Sequence, residues 1–264
     1  MTLIALTSAG DAPGVTTTAF AMTLASPDPA LLAECSPAGG KVLRGYFRGA
    51  TPPSGGLWEL ALAAVRGSVA TAEEALWEHV VPLDPERRHL LLPGLDDPFL
   101  SAELSATAWE TLAATLARLP FTVLADAGPI GPDQPFAVLR AADRVVLVMR
   151  PTLAQVLAAR PRLARLRQAL RSPAPLGLCL IGEHPYTASD VRTELGDFDP
   201  TIVFPADDGA AAVLSEGSGS DRTRRKAEAS ALMRAARTAI ARLAADHTST
   251  VHETDPPLAR EGTV

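Results

Sequence analysis

Cysteine is scarce in this chain of 264 residues. Only Cys35 and Cys179 occur, which excludes a disulfide scaffold and a four-cysteine zinc site. Both lie in apolar runs, Leu31-Leu32-Ala33-Glu34-Cys35 and Leu178-Cys179-Leu180-Ile181, and read as buried reduced thiols. Long hydrophobic stretches are also missing. No run of 18 apolar residues is present and no basic segment precedes Leu3-Ile4, so neither a transmembrane helix nor a signal peptide fits. A soluble, cytoplasmic protein without direct membrane insertion is expected. Basic excess is lacking too: 24 Lys+Arg stand against 30 Asp+Glu, which speaks against a generally basic nucleic-acid binder. The histidines (79, 89, 184, 247, 252) show no metal-ligand spacing, and no Gly-x-Ser-x-Gly elbow occurs. They read as surface or turn residues. What the chain does have is 47% hydrophobic residues, enough for a substantial core.

Short apolar runs alternate with helical stretches, the pattern of a mostly parallel sheet covered on both faces. The expected strands are Thr2–Thr7, Ala30–Glu34, Arg88–Leu92, Thr122–Asp126, Arg144–Met149, Leu176–Ile181 and Thr201–Phe204. The expected helices are Thr16–Ala25, Leu57–Val65, Thr71–His79, Ala102–Leu119, Leu153–Leu170 and Ala188–Leu195, with a last one from about Arg222 to Ala245. Pro161 is expected to kink or split its helix. Trp58, Trp77 and Trp109 read as packing residues. Gly217-Ser218-Gly219-Ser220 reads as a flexible connector, and residues 247–264 as a disordered C-terminal tail. The fold class expected is therefore one α/β domain over residues 1–246: a doubly wound, mostly parallel sheet of about seven strands with helices on both faces.

The most informative segment follows the first strand: Gly10-Asp11-Ala12-Pro13-Gly14-Val15-Thr16-Thr17-Thr18. A phosphate-binding loop needs glycines for close backbone approach, a lysine for the outer phosphates and a hydroxyl for Mg²⁺, all opening a helix whose N-terminus favours anions. Strand, turn, threonines and helix are here. The lysine is not, and Val15 stands in its place.

In these features the chain resembles the ParA/MinD family of deviant P-loop ATPases, from Met1 to about Asp246. The family loop reads Lys-Gly-Gly-x-Gly-Lys-Thr-Thr. Gly14, Thr16 and Thr17 match it, while Gly10 replaces the signature lysine that reaches across a nucleotide-sandwich dimer, and Val15 the ordinary phosphate lysine. The family's Asp-x-Asp-x-x-Gly segment reads Glu34-Cys35-Ser36-Pro37-Ala38-Gly39, so one carboxylate survives as Glu34 and the other is lost at Ser36. Leu124-Ala125-Asp126-Ala127-Gly128-Pro129 matches the next landmark, with Asp126 in the Mg²⁺-linked position. Ala142-Asp143-Arg144 and Pro151 look like the run that follows. Around the adenine, Gly182 stands in for an Asn, and Pro205-Ala206-Asp207-Asp208 keeps the Pro-x-Asp segment.

The resemblance implies a P-loop NTPase-like scaffold with eroded chemistry. Nucleotide-site residues would be Gly10, Gly14, Val15, Thr16, Thr17, Pro205 and Asp207; Thr16 and Asp126 would hold Mg²⁺; Glu34 and Asp126 would be the catalytic candidates of an active enzyme. Loss of two phosphate lysines implies an ATP affinity about a hundredfold to ten-thousandfold lower, so ATP with Mg²⁺ is expected to bind weakly at best. Lys41, Arg44 and Arg48 are the cations of a neighbouring loop that remain to reach in.

Charge is distributed unevenly. Six arginines and no acids lie between Arg150 and Ser172, and seven basic residues lie between Arg222 and Arg242 against Glu228 alone. Arg162, Arg165, Arg234 and Arg237 are the candidates for nonspecific DNA contact, against the plainer reading of solvated helix faces. The expected function is a degenerate ParA/MinD-like scaffold, closest to the TadZ/CpaE branch, that positions or assembles a pilus, secretion or partitioning machine. It would work with a protein partner and as a homodimer formed without ATP. A slow ATPase of chromosome or plasmid partitioning and a nonspecific DNA-binding module are the alternatives.

Overall fold

The continuous apolar runs form strands that are covered on both sides. In the computed structural model, which describes residues 2–10, 14–49, 55–170, 175–218 and 220–252, every residue of β1 (Thr2–Ser8), β2 (Ala30–Glu34) and β6 (Arg144–Met149) is buried. The other strands are β3 (Val81–Pro82), β4 (His89–Leu92), β5 (Thr122–Pro129), β7 (Leu176–Ile181) and β8 (Thr201–Phe204). They form one sheet in the order β3-β4-β2-β5-β1-β6-β7-β8. All pairings are parallel except β3 with β4. The doubly wound class is thus confirmed. The expected strand count is corrected from seven to eight by β3, a two-residue antiparallel edge too short to leave a periodic signal.

Alternation along β1 divides the core. Leu3 and Ala5 belong to one apolar cluster, Ile4 and Leu6 to the other. The first cluster is closed by α2 (Leu57–Arg66), α3 (Val69–His79), α4 (Ala106–Arg118), α5 (Phe136–Ala141), α6 (Leu153–Ala169) and α7 (Ala188–Leu195). The second is closed by α1 (Val15–Ala25), α8 (Asp208–Glu216), α9 (Asp221–Glu228) and α10 (Ala231–His252). Both cysteines are buried free thiols, and burial pushes Cys179 up to about 12.

Local chemistry explains where the helices differ from expectation. The run expected as one helix from Ala102 breaks because Ser105 caps α4, its side chain accepting from the Ala108 N–H at 3.1 Å, behind a 3₁₀ turn at Pro98–Glu103. The last expected helix is two: the Ser230 hydroxyl accepts from the Met233 N–H at 3.2 Å and opens α10 afresh after α9. Helix α10 runs on to His252, past the expected start of the tail at residue 247, and residues 253–264 lie outside the described residues. Pro161 does not split α6. The carbonyl its ring deprives of an N–H belongs to Leu157, a half-exposed residue. Trp109 is buried as expected, whereas Trp77 is half exposed and meets Phe121 edge to face.

Strand β1 lies between β5 and β6, so the chain leaving β1 turns toward β2 on one side while β6 and β7 continue on the other. The crevice beyond the carboxyl ends of such strands is where open α/β sheets bind ligands. Gly10 and Gly14 lie there, lining the same cavity.

Candidate functional site

Helix α1 begins at Gly14, whose φ of 124° favours glycine, and no side chain caps its first turn. A β-carbon on Gly14 would stand 2.2 Å from Ile181 Cδ1, so Gly14 seats directly against the end of β7. The orphan N–H groups of this turn, with the positive end of the helix dipole, make a cradle for an anion. On the strand side, Ser8 donates its hydroxyl to the carbonyl of Gly10 at 2.7 Å, and Thr7 donates to the carbonyl of Gly128 at 2.8 Å.

Asp126, in the second half of β5, is buried behind this turn. Its Oδ2 accepts from the Thr16 hydroxyl at 2.5 Å and its Oδ1 from the Gly128 N–H at 2.9 Å. Burial holds its carboxyl above the ordinary range, opposed by the Thr16 and Gly128 hydrogen bonds and by the Lys41 charge. Glu34, at the end of β2, is engaged differently. Its Oε1 accepts from the backbone N–H of Lys41 at 2.6 Å and of Val42 at 3.0 Å, and its Oε2 from Gly94 at 3.2 Å. Burial raises its carboxyl too, the three backbone bonds opposing and the Asp126 charge adding. The sequence candidate for catalysis is thus a clasp on a loop, with both oxygens spent.

Gly10, Gly14, Val15, Thr16, Thr17 and Asp126 line one cavity of about 410 Å³. Ser8, Phe20, Lys41 and Gly128 complete much of the wall, and Leu214 and Ser215 reach it from α8. Glu34 lies outside that lining. Asp207 and Pro205 do not join it either: Asp207 caps α8, accepting from the Ala210 N–H at 3.0 Å, and faces a separate depression with Lys226 and Arg234. Ser36 is buried, and a β-carbon on Gly128 would stand 2.4 Å from its Oγ.

The Thr16–Asp126 oxygens fit a hard cation such as Mg²⁺ that takes its remaining ligands from water and phosphate. Among the described residues no group of three or more His, Cys, Asp or Glu side chains gathers to hold a metal alone. Thr16 and Asp126 would hold the ion, which would supply charge neutralisation to a phosphate in the cavity.

The arginine candidates are not brought together. Arg162 and Arg165 sit on α6 and Arg234 and Arg237 on α10, helices that cover opposite faces of the sheet. Arg162 instead turns toward the loop, with Cζ 3.8 Å from where a β-carbon on Gly10 would stand. Neither this contact nor the arrival of Leu214 and Ser215 had a sequence signal, since each joins segments far apart in the chain. No helix of the described residues is long and apolar enough to cross a membrane.

No protein-family model and no curated protein matches the sequence. Solved structures do. A ParA family ATPase from Chlorobium tepidum aligns at a TM-score of 0.71 with 17% identity, over 92% of this chain and 98% of that one. The septum site-determining protein MinD from Pyrococcus horikoshii, complexed with Mg-ADP, aligns at 0.67 with 14% identity over 89% and 94%. A putative plasmid partition protein from Borrelia burgdorferi, bound to AMPPNP, aligns at 0.63 with 13% identity over 89% and 97%. The chain has the fold of the ParA- and MinD-type ATPases.

Proposed function

We propose that this chain is a degenerate ParA/MinD-like protein that positions or assembles a larger cellular machine, with weak or no ATP hydrolysis. The observation that carries the reading is the composition of the cavity wall. It keeps the Thr16–Asp126 pair but has Val15 and Gly10 where the resembled loop has lysines. Phosphoryl transfer depends on positioning and on neutralising charge that develops on the phosphate. With Ser36 in place of one carboxylate and Glu34 tied to three backbone N–H groups, neither carboxylate position of the resembled Asp-x-Asp segment offers a free acid to orient an attacking water. Structural relatives named for plasmid partition and septum-site determination support a positioning role; within the resembled family we take the TadZ/CpaE branch as the analogue.

A dimer without the Gly10 lysine has no cationic bridge to a nucleotide on its partner, so self-association uses side-chain surfaces and proceeds without ATP. Sedimentation velocity with and without Mg-ATP, beside a phosphate-release assay, tests both parts. The expected result is one association state in both conditions and turnover at background. A monomer that dimerises only on adding ATP, with turnover abolished by Asp126→Ala, overturns the reading in favour of a partitioning ATPase.

A further inference from the structure

Lys41 is one of only two lysines in the chain, and the other, Lys226, lies on α9. Its backbone is fixed by the buried Glu34 carboxylate, which takes the N–H of residue 41 at 2.6 Å and of residue 42 at 3.0 Å on one oxygen. With the backbone held from behind, the side chain is left free for the cavity, and Lys41 lines the same wall as Gly14, Thr16 and Asp126. Its charge is felt there, since it draws the Asp126 carboxyl down against the effect of burial. Among the described residues, no hydrogen bond or ion pair engages its ammonium.

The other cations of this loop are directed elsewhere. Arg44 donates to the backbone carbonyl of Asp96. Arg48 lies beside Gly217, its Nε 3.4 Å from where a β-carbon on that glycine would stand. Neither lines the cavity. An ammonium on a clasped backbone therefore lines an anion cradle whose own loop carries no lysine, while the Arg162 guanidinium approaches from α6 over Gly10.

We infer that Lys41 is the phosphate-binding cation of this cavity, standing in from the β2 loop for the lysine absent at Val15, and that the ligand is a polyphosphate. Pyrophosphate and the phosphate end of a nucleoside di- or triphosphate share the chemistry required: adjacent oxyanions for one ammonium, the free N–H groups of α1 and a Thr16–Asp126-bound cation. The inference rests on the nucleotide-type reading of the cavity under Proposed function and deepens it. Binding through Lys41 is separated from turnover, for which the carboxylate replaced by Ser36 is missing.

Titration calorimetry at low salt, with magnesium pyrophosphate and Mg-ATP as probes, tests the assignment. Wild type is expected to bind both, with Lys41→Ala weakening each about tenfold, the loss of one charge-assisted contact. Lys41→Arg keeps most of the affinity, and Lys41→Ala combined with Val15→Lys restores it, because residue 15 lines the same wall. Arg44→Ala leaves affinity unchanged. Thermal unfolding of each variant shows that it is folded, and the Glu34 clasp survives Lys41→Ala because it uses only backbone N–H groups. Lys41→Ala binding as tightly as wild type overturns the assignment while the cavity remains a phosphate site. Wild type binding neither probe overturns it as well, and leaves the scaffold reading to the ATP-independent association described above.

Discussion

The guanidinium of Arg162 lies over Gly10, with Cζ and one terminal nitrogen each 3.8 Å from where a β-carbon on that glycine would stand. A cation from α6 thus occupies the neighbourhood of the position where the resembled loop carries its signature lysine. Gly10 also has a φ of 149°, which side-chain-bearing residues rarely adopt. Gly10→Lys is therefore expected to destabilise the protein by about 1–3 kcal/mol rather than restore a nucleotide bridge. Adding Arg162→Ala should recover the share due to like-charge repulsion and leave the backbone share. Urea denaturation of the single and double variants reads both, and a Gly10→Lys protein as stable as wild type would sink the argument.

Asp126 and Glu34 shape the pH dependence of stability. Burial raises both carboxyls above their ordinary values. A group whose folded value is raised binds its proton more tightly when folded, so its contribution falls as pH climbs from the unfolded carboxylate range, about 4, through the folded value. Asp126→Asn removes that loss. It should raise the thermal midpoint near pH 7, and the gain should shrink toward pH 4. A gain that grows on acidification would reverse the sign and show that the ionised form is the better accommodated one.

Restoring the lost acid should fail for a packing reason. Ser36 is buried with its hydroxyl accepting from the Ala38 N–H at 3.3 Å, on the strand end that carries Glu34 and close to Gly128 beside Asp126. Ser36→Asp adds a third carboxylate to a pair already costly to ionise, and stability should fall by about 1–3 kcal/mol at neutral pH. Phosphate release should stay at background. Recovered turnover in Ser36→Asp would show that the site needs only this acid.

The basic helices predict weak and divisible DNA binding. Since α6 and α10 cover opposite faces of the sheet, one duplex cannot be gripped by both as a single surface. Charge reversal of Arg162 with Arg165, and separately of Arg234 with Arg237, should give independent effects and shallow salt slopes in a mobility-shift assay. Sub-micromolar binding at physiological salt, lost on reversing either pair alone, would favour the DNA-binding alternative.

Much of the framework was legible because its signals are local. The buried runs around Val145–Met149 and Leu176–Ile181 announce parallel strands by continuous apolar character, and Ala188–Leu195 carries its own Thr187–Asp190 capping box. What escaped was short or long-range. Helix α5 spans only six residues after Pro135, and α8 opens on Asp208-Gly209 with an alanine run that lacks a marked apolar stripe. At the site, the Gly14–Thr17 turn and Asp126 were readable as motifs. Which of Lys41, Arg44 and Arg48 faces the cavity was not, because that depends on where the Glu34 clasp holds the chain.

The two borders of the sheet constrain how copies of this protein can join. One border ends in β3, two residues long, the second of them a proline with no N–H to offer a neighbouring strand. At the other, α10 lies against β8, and Arg242 donates to the carbonyl of Thr201 at 3.3 Å, taking up an outward acceptor. Lateral extension of the sheet from molecule to molecule is therefore blunted at both ends. An array of these proteins has to be tiled through helix surfaces, where side-chain identity rather than backbone ladders selects the neighbour.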